Sequence, residues 1–316
     1  VSVLYWSVPM TQLHCTADST LDPLPSVGYN TLAVSDVDGS KAYIHDEDVL
    51  IVRGGASARL SQQEASKATV SSVAFVKPFG RPLLAFTNRF GVTLFDVSRD
   101  SAIAKVSAPQ DFDPRGVCCS DYNDTARLFV GSTSGAIRVY LISRDFEVSH
   151  VSTVTAHTAA VTCIVAQPSL HDGPCVAACD NEGKVTLLSG EGSLLAHNMF
   201  PRDCATSLCW GQSDLIVGFG SGTVRLLNRE NALLAAAIGA HSRWINAVAS
   251  CPVVGLFASV GEDGVVAVWA RDGESVRLHG TTTHTDALLC GCGFSPDGKS
   301  LAVVAYDSSK CWTHVL

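Results

Sequence analysis

The sequence predicts an all-β protein that is built from repeated hairpins of similar length. Each hairpin has an apolar run, a short polar turn that contains glycine, and a second apolar run. The turn glycines stand at positions 39, 91, 135, 183, 222 and 264, so successive turns lie 52, 44, 48, 39 and 42 residues apart. A further hairpin ending at Val315 makes seven units. This period and this number predict a seven-bladed β-propeller of four-stranded antiparallel sheets, as a single domain over residues 1–316.

The composition agrees with strands that are buried on both faces. Hydrophobic residues make up 47% of the chain and charged residues 16%, against roughly 25% charged residues in an ordinary globular domain. The net charge is −8, and the chain has no run of Lys or Arg. We therefore expect no direct nucleic-acid partner and no binding to anionic lipid. No apolar run approaches the length of a membrane span, so membrane insertion is not expected.

Each predicted blade adds an inner strand before its hairpin and an outer strand after it. In the first blade we expect a weak inner strand at 21–27, a hairpin around Gly39, and an outer strand at 49–52. The other inner strands are predicted at residues 70–75, 116–120, 161–166, 206–210, 245–249 and 288–294. The last hairpin has no outer strand after it, whereas residues 3–8 form a strand without a blade. The N-terminal strand is therefore predicted to complete the last blade and close the ring.

The stretch 240–270 contains a set of polar residues with a specific spacing. We expect Asp263 in the turn to accept a hydrogen bond from the ring of His241, His241 to contact the hydroxyl of Ser259, and Ser259 to accept from the indole N–H of Trp269. Such a chain satisfies polar groups that would be costly to bury unpaired. A hydrolase triad of the same histidine, serine and aspartate is the competing interpretation. The structural role explains all three residues, and a triad would also need an exposed nucleophile.

This set resembles a blade of the WD-repeat family, with Ala240 before the histidine and Ala270 after the tryptophan in place of the usual Gly and Asp. The short motifs at 7–10, 131–135, 289–291 and 305–307 resemble one particular family of WD-repeat proteins. The resemblance implies a propeller that binds other proteins, without catalytic activity or cofactor. Other blades depart from the pattern. The blade of His157 has Glu182 at the position of the turn aspartate, so only one full set of four is expected.

Motifs of cofactor and metal chemistry are absent from the sequence. There is no glycine-rich phosphate loop, no His-Glu-x-x-His and no Cys-x-x-Cys. Cys290 and Cys292 alternate along an inner strand, which predicts two core thiols on the same side of the sheet. His279 and His284 are predicted to be solvated residues of a loop. We therefore expect no catalytic residue, no cofactor and no metal.

The remaining candidates for function are large or charged side chains in loops around the central channel. They are not needed for packing within blades, and Arg and Trp often dominate the energetics of interfaces. The candidate residues of this partner-binding face are Arg243, Trp244, Arg202, Asp203, Arg89, Asn181 and Glu262. For Trp244 two interpretations stay open: an exposed anchor for a partner, or a ring folded over its own blade.

The sequence thus predicts a non-catalytic intracellular scaffold, most consistent with the cytoplasm, that binds proteins or peptides on its loop face. Twelve cysteines without a secretory signal indicate a reducing compartment. One alternative is a subunit of a larger complex that is bound through the blade edges, which an apolar exposed outer strand would favour. Another is an enzyme with its active site in the channel, but Val70, Gly116, Val161, Ala205 and Ile245 occupy the places where catalytic groups would converge. Partner identity and self-association stay open.

Overall fold

The computed structural model describes residues 12–53, 56–60, 68–122, 124–167 and 173–316. Within these residues, 28 strands form seven four-stranded antiparallel sheets. Neighbouring sheets contact each other around a ring, from the first to the last and back to the first. The predicted fold class, a seven-bladed all-β propeller, is confirmed. No helix in the described part of the chain has the length and apolar character needed to cross a membrane.

Six blades follow one another in chain order, and each runs from its inner to its outer strand. Blade 1 has β2 (Leu32–Val34), β3 (Lys41–His45), β4 (Asp48–Arg53) and β5 (Ala56–Arg59); blade 2 has β6 (Val70–Val76), β7 (Leu83–Asn88), β8 (Gly91–Asp96) and β9 (Ser101–Ser107); blade 3 has β10 (Pro114–Tyr122), β11 (Thr125–Ser132), β12 (Ile137–Ile142) and β13 (Val148–Val154). Blade 4 has β14 (Val161–Ala166), β15 (Val176–Asp180), β16 (Lys184–Leu188) and β17 (Leu194–Met199); blade 5 has β18 (Ala205–Trp210), β19 (Asp214–Phe219), β20 (Thr223–Asn228) and β21 (Leu234–Gly239); blade 6 has β22 (Ile245–Ser250), β23 (Leu256–Gly261), β24 (Val265–Asp272) and β25 (Ser275–Thr283).

Blade 7 is made from both ends of the described chain. It has β26 (Leu289–Phe294), β27 (Ser300–Ala305), β28 (Lys310–Val315) and, as its outer strand, β1 (His14–Thr20). The antiparallel pairing of β1 with β28 places His14 opposite Val315 and Thr20 opposite Lys310. Closure of the ring by an N-terminal strand is therefore confirmed. The strand predicted for this role, residues 3–8, lies outside the described residues.

The first blade differs from the prediction by one strand. Residues 21–27 form no strand, and β2 is the inner strand. Gly39 therefore lies between the first and second strands. The other turn glycines lie between the second and third strands or, for Gly91, at the first residue of the third strand. In blade 1 that turn is formed by Asp46, with φ 47°, and Glu47. Residues 49–52 belong to the third strand rather than the outer one. The prediction was wrong because the true turn has no glycine, which also explains the long first interval of 52 residues.

The turn glycines recur because two blades meet at them. Gly222 has φ 79°, and a Cβ there would lie 2.2 Å from the carbonyl oxygen of His241. Gly264 has φ 73°, and a Cβ there would lie 2.3 Å from the carbonyl oxygen of His284. The backbone of the loop that leads to the next blade occupies this space. Glycine thus satisfies both the left-handed conformation and the close approach.

Seven apolar clusters fill the seven junctions between neighbouring blades. One of them joins blade 7 to blade 1, with Cys290 and Val304 on one side and Leu32, Tyr43 and Leu50 on the other. The other six clusters each join consecutive blades in the same way. Burial of this apolar surface is the main stabilising contribution of quasi-repeating folds. The ring is packed continuously, including at the closure.

Side-chain hydrogen bonds join the inner strands around the channel. The second residue of an inner strand donates to the carbonyl oxygen of the first residue of the next inner strand, and we call this set the channel belt. The side-chain donors, each followed by the residue whose carbonyl oxygen accepts and by the donor–acceptor distance, are Ser71 to Pro114 (2.7 Å), Thr162 to Ala205, Thr206 to Ile245 (2.6 Å) and Asn246 to Leu289 (2.7 Å). Across the closure, Thr31 donates to the carbonyl oxygen of Cys290 at 3.1 Å. These bonds fix the relative height of neighbouring blades at five of the seven junctions.

A buried histidine network holds the turn of blade 6. His241 Nδ1 lies 2.9 Å from Asp263 Oδ1, and its Nε2 lies 2.8 Å from Ser259 Oγ. The indole N–H of Trp269 donates to the same Ser259 oxygen at 3.1 Å. Burial raises the pKa of Asp263, but the hydrogen bond and charge of His241 and two backbone N–H groups outweigh it, and the pKa falls to about 2. The aspartate is therefore ionised in the folded protein at neutral pH.

Blade 4 has a related network with different residues. Asp180 Oδ2, not Glu182, lies 2.8 Å from His157 Nδ1, and Glu182 contributes its backbone N–H to Asp180. The hydroxyl comes from Thr186 on the third strand, 2.9 Å from His157 Nε2. The assignment of Glu182 to the turn-acid position was therefore wrong. Asp180 is the last residue of its strand, two positions earlier.

We expect Thr206→Val to destabilise the protein by about 1–3 kcal/mol, because the carbonyl oxygen of Ile245 would lose its buried donor. The free energy of unfolding in urea measures the effect. Thr283→Val, at an exposed strand end, is the matched control and should change the free energy by less than about 0.5 kcal/mol. Equal effects of the two substitutions would contradict the role of the belt.

We expect His241→Ala to cost about 1–3 kcal/mol, because it leaves Asp263 and the Ser259 hydroxyl without their shared partner. His150→Ala removes an exposed histidine from an outer strand and should be nearly neutral. Thermal and urea unfolding of both variants test this difference. A neutral His241→Ala would show that packing alone holds the blade.

The stability of the wild type should fall as the pH decreases from the ordinary aspartate pKa of 3.8 towards 2. The folded protein keeps Asp263 ionised down to a pKa of about 2, so the unfolded state binds more protons in this window. Asp263→Asn should lower the stability at pH 7 and flatten the acid slope. Urea unfolding between pH 2 and 5 measures the slope, and an unchanged slope would contradict this assignment.

Candidate functional site

The candidate site lies on the loop face, which is the end of the ring that carries the turns between second and third strands and the loops between blades. On this face the chain continues from β1 to β2 through residues 21–31, which we call the channel strap. The strap contacts blade 1 where Asp46 donates its N–H to Ser26 Oγ at 2.7 Å and Tyr43 donates its hydroxyl to the Pro23 carbonyl oxygen at 2.8 Å. Residues 21–27, predicted as a strand, thus form part of this crossing segment.

The end of the strap reaches the far side of the channel mouth. Asn30 adopts φ 52° and donates its backbone N–H to the carbonyl oxygen of Asn246 at 3.1 Å. Its side-chain Nδ2 lies 3.3 Å from the carbonyl oxygen of Thr206, and its Oδ1 accepts from the hydroxyl of Ser207. One residue of the strap therefore joins the inner strands of blades 5 and 6. Sequence reasoning missed it, because Asn30 stands in no repeat.

Trp244 is the largest exposed side chain among the predicted face residues, with 40% of its surface exposed. Its ring stacks on Tyr29 of the strap, with centroids 6.3 Å apart and planes 5° apart. The same ring lies against Gly220 of blade 5, where a Cβ would be 3.1 Å from it. Burial, and next the nearby Cys204 thiol, raises the pKa of Tyr29 to about 12. The Trp244 ring therefore packs on Tyr29 of the strap and on Gly220 of the neighbouring blade, while part of its surface faces solvent.

The other predicted face residues divide into exposed and engaged side chains. Arg243, Arg202, Arg89 and Asn181 are exposed. Asp203 Oδ2 lies 2.8 Å from Arg225 Nη1 and forms an ion pair with it, although the geometry is not that of a hydrogen bond. The same oxygen accepts a hydrogen bond from the Ser221 hydroxyl.

Glu262 is half-buried beside Trp244, and its backbone N–H donates to the Trp244 carbonyl oxygen at 2.9 Å. Trp244 and Glu262 thus come together on blade 6, whereas Arg89 lies across the mouth on blade 2.

A cavity of about 720 Å³ opens at the channel mouth between the strap and blades 1 to 4. Arg89 lines it, together with Asp46, Glu47, Asp113 and Arg115. Charges of both signs therefore line the cavity. Asp113 and Arg115 were not among the predicted face residues, although both precede the predicted inner strand 116–120, as Arg202 and Arg243 precede theirs.

Two predictions about cysteine and histidine were wrong. A bulge between Leu289 and Gly291 shifts the register, so Cys290 packs between blades 7 and 1 and Cys292 between blades 6 and 7. The two thiols face opposite sides, and burial raises the pKa of each to about 12. Neither His279 nor His284 is a solvated loop residue: His279 is half-buried on β25, and His284 is half-buried with its ring stacked on Trp312, the ring centroids 4.2 Å apart. Together with Cys15 and His314, His284 forms a group that could hold a metal ion.

Known proteins share this fold and part of this sequence. A chain of the mitotic checkpoint complex superimposes with a TM-score of 0.80 at 17% identity, covering 100% of this chain and 97% of the other. The WD40 repeats of RRP9 give a TM-score of 0.77 at 14% identity, covering 98% and 100%. At these identities the likeness shows the fold alone.

Curated relatives are closer in sequence. WD repeat-containing protein 54 of Mus musculus is 27% identical over 255 residues, covering 74% of this chain and 75% of the relative, and WD repeat domain 54 of Rattus norvegicus is 29% identical over the same shares. The short motifs of the sequence resemble the same proteins. The WDR54 family profile matches residues 69–314, from just before β6 to the end of β28. On the strength of this match over most of the ring, the chain belongs to the WDR54 family of WD-repeat propellers.

Proposed function

We propose that the chain is a non-catalytic scaffold that binds other proteins or peptides on its loop face. The observation that carries this proposal is Trp244, which keeps 40% of its surface exposed although Tyr29 and Gly220 already support its ring. Exposed Arg243 precedes it directly. A supported aromatic ring beside an arginine is typical of the residues that dominate binding energy at interfaces.

The channel belt supports a role without catalysis. Val70, Val161, Ala205 and Ile245 are buried at the tops of the inner strands. The hydroxyl and amide groups beside them donate to backbone carbonyl oxygens of the next blade. A channel enzyme would need nucleophiles, bases or metal ligands that converge at this level. The same fold occurs in a chain of the mitotic checkpoint complex.

A second candidate function is a complex subunit that binds through blade edges. Leu194, Leu195 and Met199 are exposed on the outer strand of blade 4, and Leu233 and Leu234 are exposed at the outer strand of blade 5. Apolar side chains on an outer edge, with backbone groups available for pairing, are typical of interaction sites. An apolar exposed outer strand is the feature expected of a subunit that is bound through its blade edges.

The cytoplasm is the compartment that we propose. The twelve cysteines are reduced rather than joined in disulfides, and most of them are buried. Buried thiols without disulfides are typical of proteins from reducing compartments.

Affinity purification from native lysate with quantitative mass spectrometry tests the proposal. Arg202→Glu/Arg243→Glu reverses two exposed charges on the loop face without touching the core, and we expect specific partners to fall at least about tenfold. Arg99→Glu/Arg144→Glu reverses two exposed charges at the opposite end of the ring and is the matched control. Trp244→Ala is measured as a separate variant, because loss of this ring also removes its packing on Tyr29 of the strap.

An edge pair, Leu195→Glu/Leu234→Glu, separates the two candidate functions. Loss of partners with the edge pair and retention with the loop-face pair would overturn the loop-face proposal in favour of edge binding. Loss with the control pair as well would point to unspecific charge effects. Each variant must first melt like the wild type.

A further inference from the structure

Three side chains that are far apart in sequence meet where the ring closes. Cys15 on β1 lies directly opposite His314 on β28, and residues opposite each other in an antiparallel pair project to the same side. His284 follows the last strand of blade 6 and faces them. The thiol sulfur and one ring nitrogen of each histidine all lie within 4.8 Å of one another.

The distance between the two histidines matches a shared metal ion. His284 Nε2 and His314 Nε2 are 3.2 Å apart. Two nitrogen ligands at 2.0–2.1 Å from a tetrahedral zinc ion are about 3.3 Å apart, and a thiolate at about 2.3 Å from the ion lies about 3.6 Å from each nitrogen. The Cys15 sulfur lies within 4.8 Å of both nitrogens, so binding of the ion requires it to approach each of them by at most about 1.2 Å.

The surroundings hold both histidine rings in place. The His314 side chain is fully buried, and its Nδ1 has no hydrogen-bond partner. The His284 ring is held by stacking on Trp312, with planes 29° apart. A metal ion between the two Nε2 atoms, which lie 3.2 Å apart, would accept a lone pair from each ring.

We propose that Cys15, His284 and His314 form a site for a transition metal ion, with Zn²⁺ as the expected occupant. Sulfur and imidazole nitrogen are the ligands that zinc prefers. The ligands come from the first strand, the last strand and the loop after blade 6, so the ion would tie both ends of the ring to the neighbouring blade. Its free energy of binding would then stabilise ring closure directly.

The test uses the purified chain with Co²⁺ or Zn²⁺ alone as the probe. Wild type should bind one equivalent, and Co²⁺ should give thiolate charge-transfer absorption and the visible bands of a tetrahedral site. Cys15→Ser should abolish the charge-transfer absorption, and His284→Gln should weaken binding at least about 100-fold. Cys204→Ser and His279→Gln, which change a half-buried thiol and a half-buried histidine outside the group, should leave binding unchanged.

X-ray absorption of the zinc-loaded wild type tests the ligand set without any variant. The expected spectrum has two nitrogen ligands at about 2.0–2.1 Å and one sulfur at about 2.3 Å. A wild type that retains no stoichiometric metal after dialysis, a spectrum without sulfur, or full binding by both ligand variants would overturn the proposal. The two histidines would then share only an N–H···N hydrogen bond.

Discussion

The channel belt sets the relative height of the blades, because the inner strands of blades 2, 4, 5 and 6 are hydrogen-bonded to the start of the next inner strand. The donors are short side chains at one position of the strand: Ser71, Thr162, Thr206 and Asn246. A hydroxyl or amide reaches a neighbouring carbonyl oxygen at that position only if the two blades stand at one height. The apolar clusters outside the belt then pack in a fixed relation. Polar geometry sets the register, and apolar burial contributes most of the stability.

The belt also decides what the channel mouth offers to a partner. Because its polar side chains already have partners, recognition on this face depends on the channel strap and on the turns above it. Asn30 anchors the strap to blades 5 and 6, and Tyr29 then supports the ring of Trp244. A contact surface that is held in place before binding loses little conformational entropy when a partner binds. The strap is therefore as much a part of the candidate site as the turns are.

The sequence predicts blades 2 to 6 well, because a glycine marks the turn of each blade or lies beside it. Blade 7 has no glycine at this turn, and its two apolar runs alone predict its hairpin. The prediction fails in blade 1, where Asp46 takes the left-handed position and Gly39 marks a different turn. It also fails where one residue shifts a register, as in the bulge that separates Cys290 from Cys292. The group of Cys15, His284 and His314 has no local signal, since only ring closure brings its members together.

Construction of blade 7 from both ends has a consequence for how the ring is made. Blades 2 to 6 are formed from local segments, so each can fold while the chain is still being synthesised. The pairing of His14 with Val315 has very high contact order and must wait until β28 has been made. Until then, the apolar sides of blade 1 and of the growing last blade stay uncovered, and an open ring of this kind is the species most exposed to aggregation and to chaperones.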